Sequence, residues 1–217
     1  MKLDLPSVTT KRASCPRCLR PQTGCICAWI RSSTPKIEVL ILQHPLEVQQ
    51  SKGSARLLHL SLGGSHMYTG EIFDPAQLQH CLQEGGKSAV LLYPEPQAQG
   101  DLLAMPPLLN PALLLHPERL RLIVLDGTWR KSRKMLYLNP LLQQLPRFSL
   151  SAMPASHYRI RKAHKPDQLS TLEASCYALM QLEKNPEKYL PLLQAFDGFV
   201  GQQLKQQLSQ GAARQSN

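Results

Sequence analysis

Residues 120–129 read Leu-Arg-Leu-Ile-Val-Leu-Asp-Gly-Thr-Trp, and this segment is the strongest indication of the fold. Its first six residues are apolar except for Arg121, and they are the most strand-like segment of the chain, which favours a buried strand over Leu120–Leu125. Asp126-Gly127 ends that strand, and Thr128 is a suitable N-cap for a following helix. The segment therefore predicts a strand, a tight turn and a helix over Thr128–Leu138.

Two other short apolar runs predict buried strands, at Ile37–Leu42 and Ser88–Tyr93. Further segments have apolar residues at helical spacing, and Asp74 is placed to cap one of them. These predicted helices cover Lys52–Leu62, Pro75–Glu84, Leu169–Leu182 and Pro186–Leu208. Residues 97–117 are rich in Pro and Leu and predict a loop excursion. Strands that alternate with helices indicate an α/β domain with a mostly parallel sheet.

Three loops follow the carboxyl ends of the predicted strands. They are His44–Glu47, Tyr93–Pro96 and Asp126–Trp129. In parallel sheets ligands bind beyond these ends, so we expect the polar and aromatic residues of the loops to line one crevice. The alternative is that Asp126-Gly127 is a plain turn and that Trp129 belongs to the core, because Asp-Gly is a common turn pair.

Four cysteines lie within a short segment near the N-terminus, as Cys15-x2-Cys18-x6-Cys25-x-Cys27. Two close pairs of thiolates on tight turns are typical of a tetrahedral structural zinc site. A reduced cluster without metal, or a redox pair, is the alternative, although a redox CxxC usually follows a strand and nothing strand-like precedes Cys15. We predict a small zinc knuckle over residues 1–33.

The composition limits the class of protein. The chain has 217 residues, of which 42% are hydrophobic, enough for one substantial core beside the knuckle. The first twelve residues lack the apolar segment of a signal peptide, and no apolar run approaches the roughly 18 residues of a membrane span. We therefore expect a soluble cytoplasmic protein that does not bind membranes. The sequence leaves open whether it is a monomer or a homodimer.

The formal net charge is +10, and the positive charge is concentrated in one region. Between Trp129 and Lys165 there are nine basic residues and no acidic residue. The nine are Arg130, Lys131, Arg133, Lys134, Arg147, Arg159, Arg161, Lys162 and Lys165. Such a stretch can be a solvated face, but its length without an acid favours a surface for nucleic acid.

A second functional candidate is Ser170-Thr171-Leu172-Glu173-Ala174, which opens a predicted apolar helix. Ser170 and Glu173 have the S-x-x-E spacing of a capping box. The structural interpretation is therefore a helix cap. The functional interpretation is that the first amides of the helix bind an anionic ligand group while Glu173 binds an amine.

Taken together, these motifs resemble the DTW domain family of tRNA-uridine aminocarboxypropyltransferases, and more distantly the SPOUT class of S-adenosylmethionine enzymes. The resemblance covers about Cys15 to Glu183 and rests on the order of the motifs. The matching pieces are the cysteine cluster, His44-Pro45-x-Glu47, Ala55-Arg56-Leu57-Leu58, Leu92-Tyr93-Pro94, Asp126-Gly127-Thr128-Trp129 and Ser170-Thr171-Leu172-Glu173-Ala174.

The resemblance implies a SPOUT-like catalytic domain over residues 34–210, with helices on both faces of the sheet and a knotted carboxyl region. Residues 211–217 are expected to form a disordered tail. It also implies transfer of the 3-amino-3-carboxypropyl group of S-adenosylmethionine to N3 of a tRNA uridine, in the variable loop, with release of methylthioadenosine. The implied partners are tRNA and S-adenosylmethionine, and the implied metal is a structural Zn²⁺.

The resemblance and the residue chemistry together suggest roles for individual residues. Asp126 is the expected general base or holder of the uridine N3–H, and Trp129 is expected to stack on a base or face the sulfonium. The expected S-adenosylmethionine ligands are His44, Glu47, Leu92, Tyr93, Pro94, Asp126, Gly127, Thr128, Ser170, Thr171 and Glu173. The expected RNA-binding residues are Arg130, Lys131, Arg133, Lys134, Arg159, Arg161 and Lys162.

Two other functions remain open from the sequence. A SPOUT-like RNA methyltransferase would use the same two substrates but transfer the methyl group. A zinc-knuckle RNA-binding protein without catalytic activity would need only the basic surface.

Overall fold

The structure is a computed structural model that describes residues 13–95, 105–151 and 169–215. The strands are β1 (Glu38–Gln43), β2 (His66–Thr69), β3 (Ser88–Leu92), β4 (Leu120–Asp126) and β5 (Arg147–Phe148). The α-helices are α1 (Ala55–Ser61), α2 (Pro75–Gln83), α3 (Trp129–Leu138), α4 (Pro140–Gln143), α5 (Thr171–Glu183) and α6 (Leu190–Gln215). Short 3-10 helices include Cys27–Trp29, Pro45–Glu47 and Pro111–Leu115.

The five strands form one sheet in the order β2-β1-β4-β3-β5, and every pair is parallel. The predicted α/β class with a parallel sheet is therefore confirmed, while the knot and the SPOUT relationship stay predictions. The sequence did not predict β2 or β5. Most of β2 is exposed at one edge, and β5 has only two residues, so neither has the apolar run that marks a buried strand.

Helices cover both faces of the sheet, as predicted. Side chains of a strand alternate between the faces, and the buried residues accordingly separate into two cores. Val39, Ile41, Leu122 and Val124 share one core with residues of α1, α5 and α6. The other core contains Leu40, Leu42, Leu91 and Ile123 together with residues of α2, α3 and α4. Each central strand is thus buried on both faces, which explains the continuous apolar runs of β1 and β4.

Polar caps set the starts of the helices near the sheet. The Thr128 hydroxyl accepts a hydrogen bond from the Lys131 amide over 3.4 Å at the start of α3. The Asp74 carboxylate accepts from the Gln77 amide over 2.9 Å at the start of α2. Both caps were predicted from the sequence, and both are confirmed.

The last helix differs from the prediction at both ends. It begins at Leu190 instead of Pro186, and it continues to Gln215. Residues 211–215 are therefore helical in the structure, where the sequence predicted the disordered tail over 211–217. No described helix is long and apolar enough to cross a membrane.

The N-terminal segment packs directly against α6. Ile26 is fully buried and belongs to the same core as Phe196 and Phe199. The Trp29 indole donates a hydrogen bond to the Gln202 side chain, and the Arg20 guanidinium lies 5.3 Å from the centre of the Phe199 ring. A side chain at Gly198 would collide with the Trp29 ring, so glycine permits this close approach. The cysteine segment thus shares the main core.

Candidate active site

Asp126 lies at the carboxyl end of β4, in the middle of the sheet. Its side chain is buried, with 4% of the residue exposed. Its Oδ2 accepts a hydrogen bond from Gln43 Nε2 over 2.8 Å, and its Oδ1 accepts from the Thr171 hydroxyl over 2.7 Å. Gln43 is the register partner of Asp126 on β1, and Thr171 is the first residue of α5. The carboxylate is therefore fixed by two neutral donors from separate elements.

Trp129 and Tyr93 form an aromatic pair beside this edge of the sheet. Their rings meet edge to face, with centres 5.8 Å apart and an angle of 76° between planes. Trp129 is the first residue of α3 and is 48% exposed, so it is not a core residue. The alternative prediction that Trp129 belongs to the core is therefore wrong. A half-exposed indole offers a flat surface for a base or a cation.

His44 and Glu71 form a second pair at the same edge. The ring Nδ1 of His44 accepts from the Leu46 amide over 3.1 Å, so the proton of the neutral ring is on Nε2, which lies 2.8 Å from Glu71 Oε1. Hydrogen bonds from Lys134 and from His44 hold the pKa of Glu71 below its ordinary value. Both ring nitrogens of His44 are thus engaged, and the residue positions the loop after β1.

Two lysines of the basic helix α3 are paired with acidic residues from distant parts of the chain. Lys131 Nζ lies 2.8 Å from Glu47, and Lys134 Nζ lies 2.9 Å from Glu71. Counting charges along the segment from Trp129 to Lys165 does not reveal these partners, because they come from the loops after β1 and β2. The positive charge of this face is smaller than the sequence suggests.

The start of α5 completes the surroundings of Asp126. Ser170 and Glu173 form the predicted capping box: the Ser170 amide donates to Glu173 Oε2 over 2.8 Å, and the Glu173 amide donates to Ser170 Oγ over 3.2 Å. The structural interpretation of this motif is confirmed. The amide of Leu172 donates to Ser54 Oγ over 3.2 Å, which joins α5 to the start of α1. The box orients α5 so that Thr171 reaches Asp126.

The four predicted metal ligands come together in the structure. The sulfur atoms of Cys15, Cys18, Cys25 and Cys27 all lie within 4.8 Å of one another. The Cys15–Cys27 and Cys18–Cys25 sulfur distances are 3.7 and 3.8 Å. Tetrahedral Zn²⁺ with bonds of about 2.3 Å would require sulfur atoms about 3.8 Å apart, so the cluster fits this ion.

The thiols of this cluster differ in acidity. Hydrogen bonds from the backbone amides of Cys18 and Arg17 lower the pKa of Cys15 to about 6. Burial, together with the neighbouring Cys15 sulfur, raises the pKa of Cys27 to about 12. Zn²⁺ binds cysteine as the thiolate, so its binding would release the protons that these thiols carry without the metal.

The structure brings most of the predicted site residues to the carboxyl ends of the parallel strands. Gly127 is tightly packed, since a Cβ there would lie 3.1 Å from the Lys131 Cβ. Leu92 and Pro94 flank Tyr93 at the end of β3. Three predicted RNA-binding residues, Arg159, Arg161 and Lys162, lie outside the described residues.

Sequence reasoning missed several residues of this site. Gln43, Ser54 and Glu71 contact the predicted residues or their neighbours. Arg147 was predicted as one of the basic residues of a nucleic-acid surface, but it is buried and packs against the ring of Tyr93. Only Gln43 gave an indication, because it is a polar residue at the end of an apolar strand. Glu71 follows β2, and Arg147 is the first residue of β5. The sequence did not predict either of these strands.

The comparisons with known proteins agree with this arrangement. The model of the DTW domain matches residues 12–204. The chain belongs to the DTW domain family. The family resemblance inferred from the motifs is thus confirmed, and the match includes the cysteine cluster, the DTW segment and the start of α5. No solved structure matches the chain.

Curated relatives of this DTW domain protein are named as transferases. The tRNA-uridine aminocarboxypropyltransferase 2 of Drosophila melanogaster is 30% identical over 201 residues, which cover 85% of this chain and 74% of that protein. The proteins of the same name from Macaca fascicularis and Mus musculus are also 30% identical, over 87% of this chain and 64% of their own lengths.

Proposed function

We propose that this protein transfers the 3-amino-3-carboxypropyl group of S-adenosylmethionine to N3 of a uridine in the variable loop of tRNA, with release of methylthioadenosine. The names of the relatives support the reaction class and the tRNA substrate. The observation that carries the proposal is the fixed carboxylate of Asp126 at the carboxyl end of the central strand β4, in the same turn as the exposed indole of Trp129.

The reaction needs a route for one proton and correct alignment of two substrates. The nitrogen N3 attacks the γ-carbon of the transferred group, the carbon–sulfur bond breaks, and its electron pair returns to sulfur as a neutral thioether. The N3 proton goes to Asp126, whose carboxylate is an acceptor held in place by Gln43 and Thr171. A positioned base of this kind contributes about 100- to 10,000-fold in rate.

Positioning accounts for most of the remaining rate enhancement, because the sulfonium is already a good leaving group. The ring of Trp129 offers a face for the target base or for the positive sulfur, and Tyr93 supports the indole from its edge. Well-oriented reactants can gain on the order of 7 to 11 kcal/mol. The short, tightly packed turn at Gly127 keeps Asp126 and Trp129 on rigid elements.

The exposed side of α3 is the proposed tRNA surface. Arg130 and Arg133 are exposed there, and they continue the edge that carries Trp129. Lys131 and Lys134 are partly neutralised by Glu47 and Glu71, so we assign them a smaller share of the phosphate contacts. Arg159, Arg161 and Lys162 stay predicted phosphate ligands.

Zn²⁺ is the proposed occupant of the cysteine cluster. The four sulfur atoms supply a complete tetrahedral set, which leaves no open position for a substrate. The cluster lies next to the residues that contact α6, including Trp29 and Arg20. Its proposed role is therefore to hold the N-terminal segment on the main core.

A nucleoside analysis tests the function directly. Unmodified tRNA is incubated with the protein and S-adenosylmethionine, and the digested nucleosides are analysed by mass spectrometry. We expect a uridine that carries the aminocarboxypropyl group, together with stoichiometric methylthioadenosine. A methylated nucleoside with S-adenosylhomocysteine would identify a methyltransferase instead. Binding of tRNA without any new nucleoside would favour a non-catalytic RNA-binding protein.

A further inference from the structure

Arg147 begins β5, the edge strand beside β3, and its position is unusual for a cation. The residue is only 4% exposed. Its Nη1 donates to the Pro94 carbonyl over 3.0 Å, whereas Nε and Nη2 are buried and have no hydrogen-bond partner in the part of the chain that the structure describes. Among the described residues that are at least nine-tenths buried, Arg147 is the one with two such side-chain donors.

The two unpartnered atoms lie on the same edge of the guanidinium plane. This edge presents two parallel N–H groups, which is the arrangement that binds both oxygens of a carboxylate or phosphate. Buried charged donors normally have hydrogen-bond partners. The absence of described partners for Nε and Nη2 of Arg147 therefore indicates a ligand that supplies two oxygen atoms. The backbone of Pro94 and the ring of Tyr93 hold the guanidinium in its orientation.

The guanidinium of Arg147 lies close to the aromatic pair of the proposed active site. The Arg147 guanidinium lies 5.3 Å from the centre of the Tyr93 ring, and the Tyr93 ring in turn contacts Trp129. Because β5 is separated from β4 by β3, it lies about 10 Å from the strand that carries Asp126. The Tyr93 ring therefore lies between Arg147 and the indole of Trp129.

We propose that Arg147 binds the α-carboxylate of the aminocarboxypropyl group and thereby selects a donor with an intact amino acid end. This inference rests on the proposed function. It assigns the carboxylate to Arg147 because the Thr171 hydroxyl already donates to Asp126. A carboxylate is favoured over an RNA phosphate because the guanidinium is deeply buried, whereas the exposed arginines of α3 are accessible to a large polyanion.

The test compares two ligands that differ only in the carboxylate, S-adenosylmethionine and its decarboxylated form, by calorimetry without tRNA. We expect the unaltered protein to bind the carboxylated ligand at least about tenfold more tightly. In Arg147→Gln the ratio of the two affinities should fall close to one. Arg147→Lys keeps the charge but lacks the two-pronged edge, so it should restore only part of the preference. Arg119→Gln, the same change at an exposed arginine before β4, should leave the ratio unchanged.

The outcomes separate this inference from the function itself. Equal affinity of the unaltered protein for both ligands would overturn the role of Arg147, even if neither variant folds. The inference would also be overturned if Arg147→Gln left the ratio of the two ligand affinities unchanged. If tRNA binding by that variant were at the same time weaker and less sensitive to salt, the guanidinium would be assigned to an RNA phosphate. If the unaltered protein forms the modified uridine while either result is obtained, the function stands and only the assignment of Arg147 fails.

Discussion

The hydroxyl of Thr171 donates a hydrogen bond to Oδ1 of Asp126 over 2.7 Å, although 45 residues separate them in the chain. The contact joins the end of the central strand β4 to the first residue of α5. It depends on the capping box of Ser170 and Glu173, which fixes the direction in which α5 leaves the sheet. The position of the proposed base and the capping of α5 are thus coupled in this protein.

Replacement of Asp126 by Asn tests the proposed base with little change in shape. The amide of Gln43 and the hydroxyl of Thr171 can reorient to accommodate the new amide, so the fold should persist. We expect the rate of uridine modification to fall by about 100- to 10,000-fold, with tRNA affinity unchanged. Asp74→Asn is the matched control, because Asn also caps helices and Asp74 lies at the start of α2. Full activity of Asp126→Asn would remove this carboxylate from the mechanism.

Thr171→Val removes the hydroxyl and keeps the size of the side chain. Because a buried acceptor loses its donor, the free energy of unfolding should fall by about 1 to 3 kcal/mol. We also expect a lower turnover number, since Asp126 then loses one of the two hydrogen bonds that fix its carboxylate between β1 and α5. Chemical denaturation and single-turnover assays measure the two effects. Thr171→Ser retains the donor and should behave like the unaltered protein; a defect as large as that of Val would indicate that packing, and not the hydrogen bond, matters.

Trp129→Ala should reduce activity far more than stability. The indole is 48% exposed, so its removal costs less folding energy than the loss of a buried aromatic residue. Tyr68→Ala, on the edge strand β2 and 44% exposed, removes an aromatic ring of similar accessibility away from α3. We expect modification of tRNA to be impaired in the first variant and normal in the second. Equal activities would contradict a role of Trp129 in binding either substrate.

Metal analysis of the purified protein should give about one zinc per chain. Cys25→Ser should lose the metal, because three thiolates remain from a four-sulfur set. We expect the variant to unfold at a lower temperature, since the N-terminal segment packs on α6. Cys81→Ser changes a cysteine outside the cluster and should retain the ion. Zinc bound at full occupancy by Cys25→Ser would show that the cluster is not the site.

Arg130→Ala should weaken the binding of tRNA regardless of its sequence. Loss of one phosphate contact should reduce the slope of log affinity against log salt concentration by about one. Lys36→Ala removes the same charge from an exposed residue before β1, at the opposite edge of the sheet, and should leave the slope unchanged. Identical slopes for both variants would place the tRNA elsewhere on the protein.

The agreement between sequence and structure follows from the range of the interactions. The three strands with apolar runs, the caps at Thr128 and Asp74, and the box of Ser170 and Glu173 are local features, and all were predicted. The pairing of Lys131 with Glu47 and of Lys134 with Glu71 was not predicted, because these partners meet only after the sheet forms.

The sequence by itself determined the class of fold, the family and the grouping of the four cysteines, because each depends on residue types at short spacings. Only the tertiary structure decided how Asp126 is held, which cations of α3 are paired, and that Arg147 presents two buried donors without partners. The physical reason is that hydrogen bonds and ion pairs within a few ångströms depend on strand order and register. In this protein the order β2-β1-β4-β3-β5 brings together residues that are far apart in the chain.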